Sequence, residues 1–88
     1  SFGIEADDGS RLDSNTATGN AGAGAAAGDV SLVRGNVVTS NTTGLQLGNN
    51  TGYDANVASG NSTDLTFTGG SDAVTLGKNL CGNSTTCP

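Results

Sequence analysis

The sequence predicts an all-β solenoid, a right-handed parallel β-helix of about four coils of 20–21 residues with three short strands in each. Three observations carry that expectation. The chain superposes on itself: Gly3-Ile4 to Asn15 and Asn20 repeats as Gly24-Ala25 to Asn36 and Asn41, and again as Gly44-Leu45 to Asn56 and Asn61. A looser copy runs from Asp64-Leu65 to Asn79 and Asn83. Such a fixed short period marks a repeat that cannot bury its apolar face alone. Within each copy apolar residues fall two apart, which is strand spacing, and no segment sustains the spacings of three and four of a helix. Gly, Asn, Ser and Asp clusters separate these segments as corners.

The coils follow in order as approximately 3–23, 24–43, 44–63 and 64–80, within one domain spanning 1–88. Each opens on a strand with two inward residues: Ile4 and Ala6, Ala25 and Ala27, Leu45 and Leu47, then Leu65 and Phe67. The second strand centres three residues before the first Asn of each copy, on Leu12, Val33, Tyr53 and Leu76. The third centres two residues after it, on Ala17, Val38, Ala58 and Cys81. The expected stacking core is therefore Ile4, Ala25, Leu45 and Leu65 in one column and Leu12, Val33, Tyr53 and Leu76 in another. Each strand would pair in parallel with its equivalent one turn away, about 4.8 Å distant, with the right-handed crossover.

Asn15, Asn36, Asn56 and Asn79 recur at one corner, where stacked amides could form a hydrogen-bonded ladder; plain tolerance of a turn is the alternative. Asn20, Asn41, Asn61 and Asn83 recur at the next corner and read as plain turn residues. Cys81 and Cys87, the only two cysteines in a chain without His, point to a disulfide closing an 81–88 tail rather than to a metal or redox pair. An extracellular or cell-surface location follows. Asn41, Asn49, Asn61 and Asn83 each open an Asn-x-Ser/Thr triplet and are candidate glycosylation positions, although such triplets arise by chance when Asn, Ser and Thr abound.

Composition narrows the alternatives. Fifteen glycines, two Phe and one Tyr supply a conventional globular core poorly and thin repeated layers better. Disorder would explain the low hydrophobicity but not apolar residues recurring in phase. A net charge of −5 with only three basic residues disfavours nucleic acid as a partner. No apolar run is long enough for a membrane span.

The strings Gly3-Ile4 and Val33-Arg34-Gly35-Asn36, with the spaced Asn pairs, resemble coils of right-handed parallel β-helix proteins of the pectate-lyase-like superfold, over essentially the whole chain. The resemblance implies the fold more than an activity, because this architecture hosts lyases, hydrolases, adhesins, tailspikes and structural repeats. Its hydrolases use paired carboxylates on one sheet face, and its lyases combine calcium-binding acids with a base. Here Glu5 faces outward, but Ala26, Gln46 and Thr66 stand at the equivalent positions. Asp7 and Asp8 sit in a turn sequence, and Asp13, Asp29, Asp54, Asp64, Asp72, Arg11, Arg34 and Lys78 form no matching cluster. Gly69-Gly70-Ser71-Asp72 has the look of one calcium-binding nonapeptide repeat, but a turn suits it better. No enzyme, cofactor or metal is therefore expected.

The family usually begins with a cap, whereas this repeat starts at residue 3. Uncapped coils expose apolar layers and strand edges, and a top-to-bottom joint between copies does not close. The expected function is an extracellular structural protein that stacks head to tail into a fibre, sheath or biofilm-matrix element. The alternative is the C-terminal piece of a longer secreted adhesin or carbohydrate-active β-helix, with polysaccharide as the candidate partner.

Overall fold

The computed structural model describes residues 2–68 and 73–82, and it is a parallel β-solenoid of about four coils. Among the described residues twelve short strands wind in chain order through three sheets. The first sheet stacks β1 (Ile4–Ala6), β4 (Ala23–Ala27), β7 (Thr43–Leu47) and β10 (Thr63–Phe67). The second stacks β2 (Arg11–Asp13), β5 (Leu32–Arg34), β8 (Gly52–Asp54) and β11 (Val74–Thr75). The third stacks β3 (Thr16–Thr18), β6 (Val37–Thr39), β9 (Val57–Ser59) and β12 (Leu80–Cys81). Every pairing is parallel, and no described residue is helical.

Register places the expected columns. Ile4, Ala25, Leu45 and Leu65 stack in the first sheet, and Ala6, Ala27, Leu47 and Phe67 beside them. Leu12, Val33 and Tyr53 stack in the second sheet, and Ala17, Val38, Ala58 and Cys81 in the third. Each coil fills its cross-section differently. The second brings Ala25, Ala27, Val33 and Val38 to the core, whereas the third brings the larger Leu45, Leu47 and Tyr53 with Ala58.

The fourth coil corrects one expectation. Leu76 does not extend the Leu12–Val33–Tyr53 column: Thr75 pairs with Tyr53, and Leu76 is 56% exposed. Three residues separate Thr75 from Asn79, whereas two separate Tyr53 from Asn56. That one extra residue moves Leu76 off the inward phase of the strand, because side-chain direction alternates residue by residue. Leu76 lies instead over Gly52 on the outer side, where a Cβ on Gly52 would come within 2.7 Å of Leu76 Cδ1.

Every residue with positive φ in the described chain sits at a corner. One corner carries Gly9, Val30 and Asn50; the next Ser14, Gly35 and Ala55; the third Gly19, Ser40, Gly60 and Gly82. A single left-handed residue turns the strand sharply, and the residue after it then points inward. Val30 is the anomaly, a β-branched residue at φ 57° that is also 65% exposed. Replacing Val30 with Asn, the residue at the equivalent position 50, should stabilise the fold by about 1 kcal/mol through relief of left-handed strain. Paired thermal melts of Val30→Asn and wild type check this; an unchanged or lower melting temperature would show that Val30 contributes packing that offsets its strain.

Candidate functional site

The residue after each left-handed turn carries the polar chemistry of the molecule. Asn36 Oδ1 accepts from the backbone N–H of Asn15 at 2.9 Å and from its Nδ2 at 3.1 Å. Asn56 does the same for Asn36, and Asn79 for Asn56. The expected ladder is thus present. Its cause is local: the corner turns the backbone out of the strand ladder, so its N–H needs another acceptor, and the side-chain oxygen of the following coil supplies one. The Nδ2 of the two middle members also returns to a backbone carbonyl, Asn36 to Leu12 and Asn56 to Val33, both at 3.0 Å.

A second ladder stands where plain turns were expected. Asn41 Oδ1 accepts from Asn20 N–H at 2.9 Å, and Asn61 Oδ1 from Asn41 N–H at 2.8 Å. Asn41 Nδ2 donates to the Ala17 carbonyl and Asn61 Nδ2 to that of Val38. The first corner runs the same device with hydroxyls: Ser31 Oγ accepts from Ser10 N–H, and Thr51 Oγ1 from Ser31 N–H. The six buried polar residues of the described chain, Ser31, Asn36, Asn41, Thr51, Asn56 and Asn79, all belong to these three ladders.

Glycines make room for the amides. A Cβ on Gly24 would lie 2.5 Å from Asn41 Nδ2, and one on Gly3 2.7 Å from Asn20 Nδ2. The Gly-apolar step that opens each repeat is therefore the seat of the second ladder, and this pairing of Gly3, Gly24 and Gly44 with Asn20, Asn41 and Asn61 was the signal available in the sequence. Gly28 and Gly48 similarly face the carboxylates of Asp8 and Asp29, which accept from the backbone of the next coil, Asp29 N–H and Asn49 N–H, each at 2.8 Å.

The outward columns of the described residues set few ionisable side chains side by side. Glu5 is in register with Ala26, Gln46 and Thr66. On the second sheet Asp13, Arg34 and Asp54 form one outward column, with Arg34 Nε 2.7 Å and Nη2 3.2 Å from the two oxygens of Asp54. The hydrogen bond from Arg34 to Asp54, and then the charge of Asp54, hold the guanidinium above its ordinary pKa. Burial raises the pKa of Tyr53, whose ring meets that of Phe67 at 6.3 Å. Among the described residues no three His, Cys, Asp or Glu side chains gather as a metal group, and no helix is long and apolar enough to cross a membrane. Asp72 and the Gly69-Gly70-Ser71-Asp72 motif lie outside the described residues.

The candidate glycosylation positions fare unequally. Asn41 is only 4% exposed with its Nδ2 committed to the ladder, so that amide is closed to a glycan in the fold. Asn49 and Asn61 are half-buried, and Asn83 lies outside the described residues. Cys81 is half-buried in the inward column above Ala58; Cys87, and with it the expected bridge, lies outside the described residues.

What remains open among the described residues is the two ends of the stack. At one, β1, β2 and β3 pair on one side only; at the other, β10, β11 and β12 do. The first layer is better covered than the repeat suggested: Leu12 and Ala17 are buried, and Ile4 and Ala6 half-buried. The coil is narrow, so inward side chains shield one another as well as the layer beneath. Asn15 Oδ1 and Asn20 Oδ1 accept no hydrogen bond from any described residue, and Asn79 N–H donates none to any. No family model, curated protein or solved structure matches this chain.

Proposed function

We propose that this chain is a structural subunit, an extracellular protein related to the pectate-lyase-like β-helices, whose coils stack head to tail into a filament of a fibre, sheath or biofilm matrix. One observation supports the reading most. Three parallel sheets and the Asn15–Asn79 ladder continue from the first coil to the fourth, and among the described residues each has its outermost hydrogen-bonding groups without a partner. An open parallel edge is a template for another strand. A joint of one end on the other is heterologous and does not close, so it propagates. The disulfide between Cys81 and Cys87 is part of this proposal and fits an oxidising, extracellular setting.

The test is negative-stain electron microscopy of the purified protein beside its intact mass. Filaments built from the 8.5 kDa species are expected. Ile4→Lys should remain folded, because Ile4 is only half-buried in the first layer, yet lose assembly, because the joint would bury its charge. Ala25 is unsuitable for the same test, since it lies buried within the second layer. Wild-type filaments from Ile4→Lys would overturn the joint. Small isolated particles would favour the second reading, the C-terminal part of a longer secreted adhesin or carbohydrate-active β-helix whose earlier coils carry a polysaccharide-binding groove.

A further inference from the structure

The unspent groups at the two ends are of opposite kind. In the first asparagine ladder every step runs the same way: the backbone N–H and Nδ2 of one coil donate to the Oδ1 of the coil that follows. Among the described residues the ladder therefore finishes on an acceptor without a donor at its first member and a donor without an acceptor at its last. Asn15 Oδ1 accepts nothing from the described residues, and Asn79 N–H, on a buried residue, donates nothing to them. A coil presenting a side-chain oxygen at that corner would extend the ladder past Asn79, and the first coil of a second copy presents one at Asn15.

Resting on the filament reading, we infer that the joint is one further step of the same ladder: Asn79 of one copy donates to Asn15 Oδ1 of the next, with each sheet continued by the same sheet. Two independent features agree with that register. Along the second sheet the outward charges run Asp13, Arg34 and Asp54, after which Gly77 lies against Asp54 and Lys78 sits at the corner, its carbonyl accepting from Ala55 N–H at 2.7 Å. The joint would bring Asp13 of the second copy to the same side of the stack as Lys78, a charge of opposite sign. Inward, the joint sets the bulky Phe67 over Ala6, Leu65 over Ile4 and Cys81 over Ala17, and it covers exposed Thr75 with Leu12. A joint rotated by one face would set Ser10 or the Asn20 amide against Asn79 and would carry Asp13 of the second copy away from Lys78.

Disulfide trapping reads the register directly. Arg11 and Val74 are exposed, outward members of one column, Arg11–Leu32–Gly52–Val74. Within one copy they are three coil steps apart, roughly 14 Å, beyond the reach of a disulfide. Across the inferred joint they are one step apart, about 4.8 Å, inside the Cα range of about 4.4–6.8 Å that a disulfide spans. The Arg11→Cys/Val74→Cys variant, oxidised after assembly, should run on a non-reducing gel as a ladder of multimers, with the Arg11–Val74 linkage found in its peptides. Arg11→Cys mixed with Val74→Cys should stop at dimers, and this mixture preserves the test should the double variant fold poorly.

Rotated joints are reported by Arg11→Cys with Thr66→Cys and by Arg11→Cys with Leu80→Cys; a head-to-head joint is reported by dimers of Arg11→Cys alone. Filaments that crosslink only in one of those arrangements overturn the inferred register and leave the filament standing. An absence of both filaments and crosslinks overturns the two together.

Discussion

Asn36→Ala is expected to lower the stability of this protein by about 3–5 kcal/mol, since stranding a buried hydrogen-bonding group costs about 1–3 kcal/mol and this change strands more than one. Asn36 is 0% exposed. Its Nδ2 donates to the Leu12 carbonyl, the Arg34 carbonyl and Asn56 Oδ1, and its Oδ1 accepts from Asn15 N–H and Nδ2. Removing it leaves the Asn15 N–H and the Leu12 carbonyl without those partners in a corner that alanine cannot fill. A chain of this length has a stability on the order of 4–13 kcal/mol, so the loss is a large share of the whole. At about 4–8 °C per kcal/mol for domains of this size, melting should fall by at least about 12 °C. Asn15→Ala is the control. Asn15 Oδ1 accepts nothing from the described residues, so the monomer should lose roughly 1 kcal/mol, the value of one ordinary hydrogen bond. Equal losses at the two positions would mean that the amides act through helix-independent turn preference alone and not through the ladder.

That contrast also marks where the sequence could and could not be read. The winding of the chain was legible because the same residue type recurs at the same phase: Leu12, Val33 and Tyr53 differ in size yet all require the interior, and the apolar period alone places them. The second ladder was not legible from Asn20, Asn41 and Asn61 by themselves, since Asn is equally at home in a simple turn. What distinguishes the two cases is a residue some way along the chain, the glycine that opens the facing strand. Ser10, Ser31 and Thr51 were harder still, because a hydroxyl at a corner looks like solvent-facing polarity until Gly9, Val30 and Asn50 are seen to hold left-handed φ and turn the next side chain inward. Leu76 was misplaced for the complementary reason. Counting back from Asn79 assumes a corner of constant length, and one extra residue there reverses the face on which every preceding side chain falls. Periodicity specifies how coils pair inside the stack; what would pair with its ends belongs to the filament proposal, in which Asn15 and Asn79, without those partners among the described residues, would meet.

Gly44→Ala should cost about 2–3 kcal/mol, in the range typical of overpacking a rigid interior, although it adds a single methyl group. A Cβ at Gly44 would lie 2.5 Å from the Asp64 carbonyl oxygen and 2.8 Å from Asn61 Nδ2. Neither neighbour can yield cheaply. The carbonyl belongs to the backbone of the next coil, and Asn61 Nδ2 is held by the Val38 carbonyl at 3.0 Å and by Asp64 Oδ1 at 3.1 Å. The methyl must therefore push two coils apart or break the ladder. Gly60→Ala separates this cause from the conformational one: Gly60 has φ 71° but open space, its nearest contact being Ser40 N at 3.9 Å. There the cost should be about 1 kcal/mol, the penalty of a left-handed L-residue, which Ser40 and Ala55 already bear at equivalent turns. Chemical denaturation of the two variants side by side decides between them. If Gly60→Ala proves the costlier, turn conformation and not coil spacing limits this fold. If Gly44→Ala does, then the glycine column is what allows two asparagine ladders to run beside a sheet at strand spacing, and any copy joining the stack must meet the same tolerance at Gly3, where a Cβ would already approach Asn20 Nδ2 to 2.7 Å.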